Sequence, residues 1–151
     1  GDLTYGSVFE MFPFDNRVVI LDLSGADLRK IIARQAHNPR RRAGFSGMRV
    51  FVACDAKKMT VRMQSDNGQM IDDRDRIRVG VNDFLTSGGD GILTPATPEA
   101  GFEYENDVRL TRDVVANWLR QRGGSLHAGQ FVDTEAPRWT VSENLSESCH
   151  L

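Results

Sequence analysis

The sequence predicts an α+β domain in which helices pack on a mixed β-sheet. Segments with the alternating or β-branched pattern of strands are interspersed with amphipathic helices, without a regular βαβ rhythm. The 151 residues are 40% hydrophobic and 26% charged, which is the composition of an ordinary globular domain. A chain of this length buries enough surface to fold without a disulfide framework or a structural metal. We therefore expect one compact domain over residues 1–142 and a flexible tail over residues 143–151.

The first half of the chain carries clear element signals. Thr4 is a suitable N-cap for a short helix over residues 5–11, which Pro13 ends. The β-branched, apolar run over residues 17–23 predicts a strand buried on both faces. Ser24 follows as the N-cap of a helix that ends near His37, with apolar residues at helical spacing along one face.

The second half is less regular. Residues 92–107 contain two prolines and predict no element. Thr111 is predicted to cap a helix over residues 112–122, with Trp118 on its apolar face as a core anchor; Trp139 is expected to be a second anchor. The remaining strands are predicted over residues 48–54, 59–64, 76–81 and 138–141.

Charge and hydropathy exclude two classes of partner. The formal net charge is −2, so the molecule as a whole does not attract nucleic acid. The longest apolar runs fall far below the roughly 20 residues that a membrane helix requires. We therefore expect no nucleic-acid partner and no membrane span.

The two cysteines, Cys54 and Cys149, lie far apart and lack metal-ligand spacing. Cys54 stands in a strand-like run, which favours a small buried hydrophobic side chain, and Cys149 stands near a disordered end. A Cys54–Cys149 disulfide is the less favoured alternative, because disulfide frameworks usually contain several pairs.

Two features are candidates for ligand binding. In Gly88-Gly89-Asp90-Gly91 the glycines allow close backbone approach, and the carboxylate can accept hydrogen bonds from vicinal hydroxyls such as those of a ribose. Phe14 follows Pro13, and Phe84 precedes the Gly-Gly-Asp-Gly segment, so the two rings could hold a planar ligand between them. Taken singly, the loop favours a tight turn and each Phe favours the core.

Several ordered motifs together are more specific. They are Thr4-Tyr5-Gly6-Ser7-Val8-Phe9, Phe12-Pro13-Phe14-Asp15-Asn16, Leu23-Ser24-Gly25-Ala26-Asp27-Leu28, and Val81-Asn82-Asp83-Phe84-Leu85 before the Gly-Gly-Asp-Gly segment. In this order they resemble the C-terminal domain of the 5′-nucleotidase family of metallophosphoesterases, which includes UDP-sugar hydrolases and cyclic-nucleotide phosphodiesterases. The resemblance covers most of residues 1–123.

The resemblance implies a substrate-binding role. Phe14 and Phe84 would stack on opposite faces of a nucleobase, and Asp90 would bind the ribose. Asn82 and Gly89 are weaker candidates for ligand contact and are expected mainly to shape the loop.

The resemblance also implies that catalysis takes place outside this sequence. The family hydrolyses its substrates with two divalent metal ions in an N-terminal metallophosphoesterase domain, which this chain lacks. We expect no catalytic residue, cofactor or metal in the chain, which alone would be inactive. Its implied partners are a nucleotide or nucleoside and its own N-terminal domain, and its implied location is periplasmic, secreted or at the cell surface.

Two alternatives stay open. The same fold could take a UDP-sugar, a cyclic nucleotide or a non-nucleotide such as a sulfur-carrier conjugate. A different class is a non-catalytic anion-binding module that works through an Arg-rich loop containing Arg40, Arg41 and Arg42. This loop lies in a wider Arg-rich segment, residues 29–49, which holds seven basic residues and no acidic one.

Overall fold

The structure is a computed structural model, and it describes residues 2–131, 133–145 and 148–151. Helices and strands interspersed along the chain confirm the α+β class. The helices in these residues are α1 (Tyr5–Met11), α2 (Gly25–Ala36), the single turn α3 (Asp83–Thr86) and α4 (Thr111–Arg122). The strands are β1 (Arg17–Ser24), β2 (Met48–Asp55), β3 (Lys58–Ser65), β4 (Arg76–Asn82), β5 (Tyr104–Leu110) and β6 (Trp139–Val141).

The strands are divided between two three-stranded sheets. In the first sheet, β1 lies in the middle and pairs antiparallel with β4 and β5. In the second sheet, β2 lies in the middle and pairs antiparallel with β3 and parallel with β6. The mixed pairing predicted from the sequence is therefore found in the second sheet.

The hydrophobic core joins α2 to both sheets. Leu28, Ile31 and Ile32 form the buried stripe of α2, and each is at most 5% exposed. They belong to one cluster with Leu21 from β1 and Val50 from β2. The apolar spacing that predicts this helix is therefore the spacing that closes the core.

The C-terminal end of the chain is anchored, which corrects the expectation of an unpaired Cys149. This residue is completely buried and forms a disulfide with Cys54. Asn144 Nδ2 donates to the Cys54 carbonyl at 2.8 Å, and the Met59 amide donates to the His150 carbonyl at 2.6 Å. Residues 142–145 and 148–151, which we call the C-terminal strap, thus lie against the tip of the β2–β3 hairpin. The described part of the predicted tail is held in place.

Three expectations about the second half need correction. Strand β5 lies in and beyond a stretch that predicted no element, and it pairs with β1. Trp118 is 45% exposed and stacks edge-on against Phe131, so it is not a core anchor. Thr111 is the first residue of α4, and its Oγ1 caps nothing, because the cap position is Leu110.

The prediction for the other tryptophan is closer to the structure. Trp139 packs against the core, and its indole N–H donates to the Ala43 carbonyl at 3.1 Å.

Among the described residues, the helices are too short or too polar for any of them to cross a bilayer.

Candidate functional site

Two loops meet at one end of the first sheet. The first, residues 12–16, joins α1 to β1, and we call it the Phe14 loop. The second, residues 82–91, follows β4 and contains α3, and we call it the glycine loop. Because β1 and β4 run antiparallel with Val18 opposite Asn82, the loop before β1 and the loop after β4 emerge from the same end of the first sheet. A backbone donor fixes the junction, in which Arg17 N–H donates to Asp83 Oδ1 at 2.9 Å.

The rings of both loops are exposed. Phe14 is 70% exposed and Phe84 is 45% exposed, so neither serves the core, which is the usual place of phenylalanine. Large apolar side chains that are exposed together at one end of a domain are typical of a binding surface. The sheet register thus brings the two predicted ring residues to the same end of the molecule.

Two further predicted residues shape the glycine loop. Asn82 Oδ1 accepts the Leu85 amide at 3.1 Å and caps α3. Gly89 lies directly against the Phe84 ring, since a Cβ at this position would lie 2.3 Å from a ring carbon. Asn82 therefore starts the turn that carries Phe84, and Gly89 leaves room for its ring.

Asp90 projects from a strained turn. Its φ of 54° lies in the left-handed region, and its neighbours Gly88 and Gly91 have φ values of 97° and 64°. Gly91 N–H donates to the Gly88 carbonyl at 3.1 Å, which closes the turn. A non-glycine residue in this conformation costs free energy and often marks a functional position. The Asp90 carboxylate is solvent-exposed and available as a hydrogen-bond acceptor.

Arg112 contacts the Phe14 loop, and sequence reasoning did not single it out. This arginine in the first turn of α4 is only 7% exposed. Its guanidinium donates to Asp15 Oδ1 at 2.7 Å and to the Phe12 carbonyl at 3.3 Å, and it lies 4.8 Å from the centre of the Phe9 ring. The one sequence signal was its place, because a cation in the first turn of a helix opposes the helix dipole.

The electrostatics of this contact favour the charged form of the Arg112 guanidinium. The hydrogen bond to Asp15 raises the pKa of Arg112 above its ordinary value. The Phe14 loop is therefore tied to α4 by a guanidinium that stays charged at all working pH values. A second tie, from the Thr111 amide to the Asn16 carbonyl at 2.8 Å, runs beside it.

A separate cleft of about 1100 Å³ lies between the two sheets and α2. Leu28, Met48 and Val79 are among its lining residues, whereas Phe14, Phe84 and Asp90 do not line it. The predicted ligand residues thus stand on an open surface. No group of three His, Cys, Asp or Glu side chains in the part of the chain that the structure describes is arranged to hold a metal ion.

Many charges of the Arg-rich segment bond within the chain. These contacts join Arg29 to Asp73, Lys30 to Asp27, Arg49 to Asp133, and Arg42 to the Ala36 carbonyl. Arg42 also lies 5.6 Å from the centre of the Trp139 ring. These contacts offset part of the positive charge of the segment, which makes it a weaker candidate for binding an anionic polymer, because such binding requires several free cations.

Comparison with known proteins identifies the family of the chain. A family model described as "5′-nucleotidase, C-terminal domain" matches residues 1–97. A probable 5′-nucleotidase of Treponema pallidum is 27% identical over 113 residues, which is 62% of this chain and 18% of that protein. The trifunctional nucleotide phosphoesterase YfkN of Bacillus subtilis is 29% identical and covers 95% of this chain. Protein UshA of Salmonella pullorum is 30% identical and covers 92%.

The chain spans 11% of YfkN and 24% of UshA, so it is less than a quarter of the length of these curated relatives. Solved structures show the same fold. A 5′-nucleotidase precursor from Thermus thermophilus superposes with a TM-score of 0.65 at 22% identity, over 95% of this chain and 28% of that one. The NAD nucleotidase of Haemophilus influenzae superposes with a TM-score of 0.60 at 18% identity, over 82% of this chain and 26% of that one.

Proposed function

Because the chain belongs to the 5′-nucleotidase family as its C-terminal domain, we propose that it recognises the base and ribose of a nucleotide for a two-metal phosphoesterase. The enzyme as a whole would hydrolyse nucleotide phosphate esters. The observation that carries the proposal is the exposure of Phe14 and Phe84 on two loops at the same end of the first sheet. The hydrogen bond from Arg17 N–H to Asp83 joins these two loops.

Each site residue has a role in this proposal. Phe14 and Phe84 stack on the two faces of the base, and Asp90 accepts hydrogen bonds from the ribose hydroxyls. Asn82 and Gly89 hold the glycine loop in the shape that presents the Phe84 ring. Stacking on an aromatic side chain contributes roughly 1–3 kcal/mol per base and tolerates every base, so this arrangement favours a nucleotide over a ligand without a flat heterocycle.

The chemical step belongs to another domain. An N-terminal metallophosphoesterase domain of the same protein would hold two divalent metal ions, which when bound would supply activation of water and stabilisation of charge on the phosphate. The 151-residue chain supplies substrate recognition only, and alone it is expected to be inactive. The nucleotide and the N-terminal domain are its proposed partners.

Weak but specific nucleoside binding is the test. Association costs much of the stacking free energy, so we expect millimolar affinity for adenosine and uridine in NMR titrations of the chain. Phe84→Ala and Asp90→Ala should each weaken binding at least fivefold. Phe131→Ala is a matched control, because this exposed ring contacts Trp118 on α4, and it should leave binding unchanged. Undiminished binding in both site variants would sink the proposal.

The same-family alternatives differ in the group attached to the phosphate. A UDP-sugar or a cyclic nucleotide also presents a base and a ribose, so it would use the same rings. A sulfur-carrier conjugate would not require them. Competition titrations against uridine separate these cases, because a ligand that needs the rings displaces uridine and loses affinity in Phe84→Ala.

We also propose a periplasmic, secreted or cell-surface location. The Cys54–Cys149 disulfide supports it, because structural disulfides persist in oxidising compartments. Thiol alkylation of the protein taken directly from its cells should leave both cysteines unmodified until a reductant is added. Immediate labelling of both would contradict an oxidising location.

A further inference from the structure

We propose that Arg112 is a positioning residue that holds the Phe14 loop, and with it the Phe14 ring, in the arrangement that receives the base. The inference rests on the proposed function. Its contacts span the loop, since the guanidinium bonds to the Phe12 carbonyl before Phe14 and to the Asp15 carboxylate after it. The ring between these two anchors has few other ties, because it is 70% exposed.

The burial of Arg112 is hard to explain by stability. Its side chain is 8% exposed whereas that of Asp15 is 79% exposed, so a costly desolvated cation meets a carboxylate that water still screens. Its Nε is buried without a partner among the described residues. Replacement of a buried ion pair by apolar side chains of similar volume is often neutral or stabilising. The guanidinium adds direction to the contact, because its planar fork donates to one acceptor on each side of Phe14 and so fixes the orientation of the loop.

Loss of this direction has a defined effect on binding. When only a fraction of molecules holds the loop in the binding arrangement, the apparent Kd rises by the inverse of that fraction. If Arg112→Met lowers the fraction to about one tenth, the Kd for adenosine rises about tenfold. We expect the effect to act through Phe14, because the described contacts of the buried Arg112 side chain are to α1 and the Phe14 loop and not to the glycine loop.

A double-mutant cycle tests the proposal. Adenosine Kd is measured by NMR titration for the wild-type chain, Arg112→Met, Phe14→Ala and the double variant. We expect the tenfold loss from Arg112→Met in the wild-type background and no further loss in the Phe14→Ala background. Arg120→Met is the matched control, since this exposed arginine on the same helix bonds only to Asn117 in its described contacts, and it should leave Kd unchanged.

A second variant guards against a folding defect. Asp15→Asn changes an exposed side chain, so the fold is retained, and it removes the charge that orients the guanidinium. We expect a rise in adenosine Kd of about threefold, which is again absent in the Phe14→Ala background.

The outcomes separate the two proposals. An unchanged Kd in Arg112→Met and Asp15→Asn, together with a loss in Phe14→Ala, would overturn the positioning role and leave nucleoside recognition standing. Equal losses in both backgrounds would show that Arg112 acts on general stability, and they also overturn the role. An unchanged Kd in Phe14→Ala and Phe84→Ala overturns the proposed function itself.

Discussion

At the scale of single residues, Gly89 shows how one missing Cβ sets the position of an aromatic ring. The Phe84 ring occupies the space that a side chain at position 89 would fill, with three ring carbons within 2.5 Å of the ideal Cβ. Phe84 is half exposed, so its ring can swing outward to relieve such a clash at little cost. Glycine is therefore required here for the presentation of the ring more than for the stability of the fold.

Gly89→Ala is accordingly expected to separate binding from stability. The free energy of unfolding should change by less than about 1 kcal/mol, while adenosine binding should weaken at least fivefold, because one stacked face is worth roughly 1–3 kcal/mol. Urea denaturation and NMR titration measure the two effects. Gly44→Ala is the control, since its methyl group meets nothing within 4 Å. A loss of stability with normal binding would contradict this account.

The residue scale also shows what sequence can predict about the site. Phe14, Phe84 and Asp90 stand next to or near Pro or Gly, and this local chemistry marks surface loops in the sequence itself. Arg112 acts on a loop 97 positions away in the chain, and no local pattern encodes that contact. The order of the motifs was enough to assign Phe14 and Phe84 to a ligand instead of the core. The contact between Arg112 and the Phe14 loop became visible only in the folded structure.

At the scale of elements, the C-terminal strap illustrates a constraint that spacing does not reveal. Cys54 lies near the end of β2, and Cys149 follows β6, which pairs parallel with β2. This pairing returns the chain to the β2–β3 hairpin, where the sulfur atoms meet although 95 positions separate them. The closed loop is long, so the bond restricts the unfolded chain strongly.

Removal of the disulfide should therefore destabilise the fold without changing its site. We expect Cys149→Ser to lower the free energy of unfolding by about 2–4 kcal/mol, which is less than the roughly 4.7 kcal/mol of the chain-entropy estimate for a loop near 100 residues. Urea denaturation with and without dithiothreitol measures it. The reductant should weaken the wild type and leave Cys149→Ser unaffected; equal sensitivity of the two would contradict the structural role of the bond.

The N-terminus of α2 gives a pH-dependent contribution. Ser24 Oγ donates to Asp27 Oδ2 at 2.6 Å, and this bond, with help from Lys30 and against partial burial, holds the pKa of Asp27 below its ordinary value of 3.8. The folded state therefore binds the proton more weakly than the unfolded state. The stabilisation is fully present at pH values well above 3.8 and is lost as the pH falls below 3.8 towards the folded-state pKa.

The variant Asp27→Asn tests the direction of this pH dependence of stability. At pH 7 the variant should be less stable than the wild type by about 0.5–1 kcal/mol, since it loses the charge at the helix N-terminus. At pH 3 the difference should shrink, because at this pH the carboxyl of the unfolded wild-type chain binds a proton that the folded chain binds more weakly. Urea denaturation at both pH values measures it, and a difference that does not change with pH would refute the assigned cause.

Elements with strong local signals were predictable, and those fixed by partners were not. Thr4 and Ser24 cap α1 and α2 as expected, because side-chain capping is local chemistry. Strand β5 escaped prediction since Asn106 and Asp107 have low strand propensity. Pairing with β1 at the edge of the first sheet overrides that preference.

At the scale of the whole molecule, the proposed function places recognition in this chain and catalysis in an N-terminal domain. The chain spans under a quarter of the length of YfkN and UshA. We expect the 151-residue chain to release no phosphate from AMP in the presence of Mn²⁺ or Zn²⁺, measured by phosphate assay. Metal-dependent release above that of a boiled sample would contradict this division of labour.

The class of the fold was predictable from composition and interspersed elements, whereas the division into two sheets was not. Strand order depends on long-range pairs such as Val18 with Asn82, which the sequence pattern leaves undetermined. The same pairs place the Phe14 loop and the glycine loop at one end of the first sheet. That end carries the exposed rings of Phe14 and Phe84, whereas the cleft between the sheets is a separate candidate surface for a ligand.

The most direct test is the position of a bound nucleoside. Intermolecular NOEs recorded on the chain with saturating adenosine should connect the base protons to the ring protons of both Phe14 and Phe84. NOEs from the base to Leu28 and Val79 in the cleft, with none to either ring, would contradict the account.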